Sequence, residues 1–135
     1  MTLDAVLFDT DYLKVTHDPD HKVLHLQWKR YASSEQFRDA LNFALDRVKE
    51  FEITGWIGNL KNMEVIAPAD ADWSSNIWFP EIAKTGLKKM AIVTSLDYFN
   101  NTVVKKIMEA AQSVIPFETR YFVDISEARE WLYKV

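Results

Sequence analysis

Cysteine is absent from this 135-residue chain. Disulfides and thiolate chemistry are therefore excluded, and a zinc site would have to be built from histidines and carboxylates alone. Glycine (3) and proline (4) are scarce, so short loops are expected and no Gly-rich phosphate cradle can be found. A basic excess is missing as well: 20 acidic residues face 16 basic ones, for a net charge of −4. A sequence-independent nucleic-acid binder needs a positive footprint, so no nucleic-acid partner is expected. No apolar run approaches the ~20 residues of a membrane span. The opening stretch MTLDAVLFDTDYLK has neither a basic n-region nor a long apolar core, so no signal peptide is expected. There is no repeat, linker or low-complexity tract. The expectation is one cytoplasmic domain over residues 1–135.

The hydrophobic residues, 48% of the chain, are patterned. YLKVTH (Tyr12–His17) and VLHLQWK (Val23–Lys29) alternate with period two and flank the turn signal DPDH, which predicts an antiparallel hairpin. AVLF (Ala5–Phe8) is either a lead-in strand or packed coil. In the next segment Ser33 and Gln36 have capping-box spacing, and Phe37, Leu41, Ala44, Leu45 and Val48 share a face. A helix over Ser34–Glu50 follows. GWIGNL predicts a buried strand over Thr54–Asn59. Pro68 suits a helix start, and the pairs Trp73/Ile77 and Trp78/Ile82 predict a second helix from Ala69 to about Thr85. Pro80 should kink or break it near Asn76–Phe79, and Gly86 is expected to terminate it. KKMAIVTS reads as a parallel strand. A third helix is expected from Asn100 or Asn101 as cap to Pro116, with Val104, Ile107, Ala111 and Val114 inward. ETRYFVDI is a strand, and SEAREWLYKV a closing helix. The order β-β-α-β-α-β-α-β-α predicts an α/β fold: a mixed, mainly parallel sheet of about five strands with helices packed on it.

Each candidate site has a plain structural alternative. His17 and His21, with Asp18 and Asp20, could ligate a divalent metal, but turn residues of these types are ordinarily solvated, and no metal is assigned. Asp70 and Asp72 suit the dipole at a helix start and, two apart, do not face each other. Asp97 and Asp124 follow strands, where α/β ligands bind, yet both also suit helix caps. Ser74, Ser75 and Ser95 have no histidine base nearby in sequence, and WSSNI lacks the glycines of a nucleophile elbow. Lys84, Lys88, Lys89, Lys105 and Lys106 could attract an anion or simply be solvated. No catalytic residue and no cofactor is assigned.

The aromatic residues carry more information. Trp28, Trp56 and Trp131 fit inward positions. Trp73, Ile77, Trp78 and Phe79 fall on more than one side of their helix, and Phe43 lies outside the apolar arc of the first. Singly exposed residues, a self-association patch and a ligand pocket all remain open for them. Asn59 and Asn62 are expected to tie the loop after the GWIGNL strand, and Thr94 stands at the end of the next one.

The segments LHLQW, WIGNLKNMEVIAPADADW, FPEIAKTGLKKMAIV and FVDISEAREWL together resemble the bacterial STAS-like family. These are relatives of sulfate-transporter and anti-sigma-factor-antagonist domains, with a branch related in fold to lipid-binding CRAL–TRIO domains. The resemblance implies a sheet with helices packed on it and no enzyme activity. In the antagonists, an Asp-Ser pair in the loop after a strand is phosphorylated on the serine by a partner kinase. Ala67 and Pro68 stand at those positions here, so the resemblance does not carry the phosphoserine switch over. The function expected is a non-enzymatic regulatory or protein-interaction domain that pairs with a second copy, with a possible regulatory protein as partner. The alternative is a small apolar-ligand or lipid-binding module with a pocket near the second helix. A third possibility, an enzyme using Asp70, Asp72 or Asp97, would need a cleft around one of them.

Overall fold

The computed structural model describes residues 4–134, so Met1–Leu3 of the opening stretch and Val135 of the closing helix lie outside the described residues. Six strands form one sheet: β1 (Ala5–Asp9), β2 (Leu13–Asp18), β3 (Val23–Trp28), β4 (Gly55–Asn59), β5 (Lys89–Val93) and β6 (Glu118–Phe122). Each strand lies beside its neighbour in sequence. β1, β2 and β3 are antiparallel, and β3 to β6 are parallel.

Alternation explains the hairpin. Leu13 and Val15 of β2 and Leu24, Leu26 and Trp28 of β3 all turn to one face and are buried. Asp18 closes the turn by accepting the backbone amides of Asp20 and His21. The AVLF stretch, Ala5–Phe8, is strand and not packed coil: with Asp9 it forms β1 and pairs with β2 through a bulge between Val6 and Phe8, so the sheet has six strands rather than about five. That strand also accounts for Phe43, whose ring packs 5.6 Å from Phe8 and lies 4.9 Å below the Arg47 guanidinium.

Helix α1 (Ser34–Glu50) has the expected bounds and a closed capping box: Ser33 Oγ accepts the Gln36 amide and Gln36 Oε1 accepts the Ser33 amide. The second helix is interrupted about where Pro80 predicts, in the form of a π-helical turn. It runs as α2 (Pro68–Trp73), a π-helical turn (Ser74–Trp78) and α3 (Phe79–Ile82). Pro80 has no amide to donate, and the Phe79 amide reaches back five residues to Ser74 O. The wider turn rephases the side chains, so the regular Trp73/Ile77 and Trp78/Ile82 stripes break up. Trp78 and Phe79 are both buried, at 2% and 6% exposure, while Ile77 is 57% exposed. The helix stops at Ile82, before Thr85, and Gly86 is not in the left-handed region, so it is not a left-handed helix terminator.

Helix α4 (Tyr98–Ala111) is capped by Asp97, not by Asn100 or Asn101. It ends well short of Pro116, so Val114 lies beyond it and is exposed. Helix α5 (Ile125–Tyr133) is capped by Asp124.

The parallel strands advance in one direction across the sheet. Right-handed crossovers taken in one direction place every crossover helix on one face. The larger core accordingly lies between that face and α1, the π-turn, α3 and α4. Among the described residues, only α5 packs on the other face, where Ala128 and Trp131 cover Val23, Ile57, Ala91 and Val93. Gly55 permits this closeness: a Cβ there would lie 3.1 Å from Val23 Cγ2 and 3.4 Å from Leu132 Cδ2.

Candidate functional site at the carboxyl edge of the sheet

In open α/β sheets, ligands bind at the carboxyl ends of strands where the strand order reverses. This order never reverses, so no such crevice opens. What occupies the carboxyl edge instead is a stitched platform. Asn59 Oδ1 accepts the Lys61 amide at 3.3 Å, and Leu60 N donates to Val93 O. Leu96 N donates to Lys61 O, joining the loops that follow β4 and β5, and Thr94 N donates to Phe122 O at the end of β6. Ser95 Oγ donates to Met63 O at 2.8 Å. Asn101 takes the Ser95 amide and returns its own side-chain N–H to Ser95 O, both at 2.7 Å. Asn100 Oδ1 accepts the Ile66 amide at 3.1 Å. Asn62 is exposed at the turn beside Lys61.

Asp97 accepts the amides of Phe99 and Asn100, and Asp124 accepts that of Ser126. The Ser126 backbone amide, then its hydroxyl, hold the Asp124 carboxyl below its ordinary range. Both carboxylates are therefore engaged as caps, and Ser95 is engaged as a tether. Asp70 is buried and joins α2 to α1 by accepting from Ser34 Oγ at 2.7 Å and Arg38 Nε at 2.8 Å, while Asp72 is exposed. At the start of the π-turn, the Ser74 and Ser75 hydroxyls donate back to the carbonyls of Asp70 and Ala71 in α2.

The platform displays apolar side chains. Leu96, Tyr98, Phe99 and Val123 are 75%, 77%, 71% and 83% exposed. Tyr98 and Phe99 meet edge to face, 5.9 Å apart. Period reading missed them because they lie in a loop and in the first turn of a helix, where no stripe can form. The LDYF run directly after an apolar strand was the signal available.

The residues singled out from sequence are not gathered in one place. Trp78 is a core residue whose indole N–H donates to Leu41 O at 2.9 Å. It lines, with Phe79, an apolar cavity beneath the platform. Trp73 is half-buried against Phe37, with the Arg38 guanidinium 5.3 Å over its ring. Thr94 borders a separate depression with Asn101, Lys105 and Tyr121.

The three histidines are dispersed. His17 stacks on Phe51 on the α1 face, and His21 stacks on Tyr133 on the other. Asp18 binds His21 Nδ1 at 2.9 Å and the Tyr133 hydroxyl at 3.0 Å. Burial would raise the Asp18 carboxyl, but these hydrogen bonds outweigh it and hold it low. Among the described residues, no group of three or more His, Asp or Glu is placed to hold a metal ion. Lys89 is used structurally, donating to Trp131 O and Lys134 O at the end of α5. No helix of the described residues is long and apolar enough to cross a membrane.

A family model described as SpoIIAA-like matches residues 23–133. Among solved structures, the chain is similar to an uncharacterized protein of the DUF3478 family with a SpoIIAA-like fold, from Shewanella loihica PV-4. That likeness has a TM-score of 0.60 at 13% identity and covers 98% of this chain and 97% of the other. No curated protein matches. The chain belongs to the SpoIIAA-like family.

Proposed function

We propose that this SpoIIAA-like chain is a non-enzymatic interaction domain that pairs with a second copy through the carboxyl edge of its sheet. One observation carries the reading: Leu96, Tyr98, Phe99 and Val123 are exposed together on a backbone fixed by caps and side-chain tethers. Such a surface is already ordered, so pairing pays little for ordering it.

The contact surface is placed here and not on Trp73, Ile77, Trp78, Phe79 or Phe43, because Trp78 and Phe79 are core residues and Ile77 is exposed singly. The test is light scattering coupled to size exclusion on the wild type and on Tyr98→Ser/Phe99→Ser. A dimeric wild type and a folded monomeric variant are expected. A wild type that stays monomeric at high concentration would overturn self-pairing.

A further inference from the structure

Helix α5 covers only part of the second sheet face. Beyond it, over the hairpin, alternation turns Lys14 and Thr16 of β2 and His25 and Gln27 of β3 away from the larger core. With Asp4 on the β1 side and Arg129 on the α5 side, they line a depression of ≈ 270 Å³. Three features distinguish it from an ordinary solvated strand surface.

The first is the Lys14 ammonium. Lys14 is half-buried, and among the described residues it forms no ion pair. Asp9, which stands opposite it in the β1–β2 register, binds Lys29 Nζ at 2.8 Å instead. The second is the Arg129 guanidinium. Its Nη2 lies 3.3 Å from His25 Nδ1. Its Nη1 is 3.7 Å from the Asp4 carboxylate, an ion pair beyond hydrogen-bond reach, so Nη1 still has N–H groups to donate.

The third is the balance of charge. Burial first, then the Arg129 and Lys14 charges, push the His25 imidazole down to about 4, so it is neutral at pH 7. The same two cations thus act on one half-buried spot. Against them the lining sets only the Asp4 carboxylate, which leaves the depression with a net positive charge.

We propose that this depression binds a small organic monocarboxylate. Its carboxylate lies between the Lys14 ammonium and Nη1 of Arg129. Its body rests over Thr16 and Gln27, whose hydroxyl and amide offer hydrogen bonds to a polar substituent. A dianion is disfavoured, because its second charge would face Asp4. A volume above the ~150 Å³ that takes benzene admits six or more non-hydrogen atoms. The site shares no residue with the Leu96, Tyr98, Phe99 and Val123 surface, so it stands independently of pairing at the carboxyl edge.

The test uses two probes of equal size, lactate and lactamide, titrated into the full chain at pH 7 and constant ionic strength and followed by NMR. The signals read are the Thr16 and Gln27 backbone amides and the His25 ring. Saturable shifts at all three are expected with lactate, and none with lactamide, which lacks the charge. In Lys14→Gln, lactate should bind about tenfold more weakly, the worth of one hydrogen bond to a charged group. If that variant does not fold, the two wild-type titrations still decide. A linear drift with lactate, or the same response to lactamide, would overturn the carboxylate site. Undiminished affinity in a folded Lys14→Gln would overturn the placement of the anion between Lys14 and Arg129.

Discussion

At the scale of single residues, His25 shows how burial sets chemistry. It faces away from Leu24 and Leu26, as alternation requires, and meets Arg129 on the α5 face, with Nδ1 3.3 Å from the guanidinium. Burial first, and the Arg129 charge second, push the imidazole down from 6.5 to about 4. Between those values the unfolded chain binds more protons than the folded one. Stability from His25 is therefore complete above about pH 6.5 and is lost as the pH falls toward 4. The loss is on the order of 3 kcal/mol. Urea midpoints of wild type and His25→Gln measured from pH 7 to 4 check this: the wild type should lose more than the variant. Parallel curves would mean that His25 titrates normally. Alternation in sequence gave the direction of this side chain. The partner that sets its chemistry is about a hundred residues away, and no local pattern points to it.

At the scale of elements, local rules held where the helix was regular and its ends were polar. The bounds of α1 follow from its capping box and apolar face, both encoded within a few residues. They failed at the second helix, because a π-turn changes the angle per residue and so moves every later side chain off the expected stripe. They also failed at the start of α4. Asn100 and Asn101 look like caps, but Asp97 takes that role, and the two asparagines tie neighbouring loops instead. Those ties support a prediction. Asn101→Ala removes both hydrogen bonds to Ser95 and should cost about 2 kcal/mol. Chemical denaturation gives the loss, and hydrogen exchange at the Ser95 amide should quicken with it. An unchanged exchange rate would mean that the platform holds without Asn101.

At the scale of the whole molecule, the strand order decides the layers. Three crossovers in one direction leave the second sheet face to a single helix, α5. Trp131 is its anchor, packing 5.7 Å from Phe122 with the Lys89 ammonium 5.0 Å and the Arg120 guanidinium 5.1 Å over its ring. Trp131→Ala should destabilise the fold by roughly 3–5 kcal/mol, read as a shift in the urea midpoint. A loss below about 1 kcal/mol would show that α5 is dispensable to the core. The sheet's two edges are guarded against unwanted pairing: β1 by its bulge, β6 by Glu118 and Arg120. Strand addition at either edge is thereby disfavoured.

The sequence by itself determined the element types, most of their bounds and the α/β class, because period, caps and turn residues act over a few positions. It also determined what the chain cannot do through cysteine. Only the tertiary structure decided that Ala5–Asp9 is a sixth strand, since pairing with β2, and not its own composition, makes it one. Only the tertiary structure turned Trp78 and Phe79 into core, left Leu96, Tyr98, Phe99 and Val123 outside, and opened a cavity over Gly58. Each of those outcomes depends on which distant residues meet, and a period read along the chain contains no distance across it.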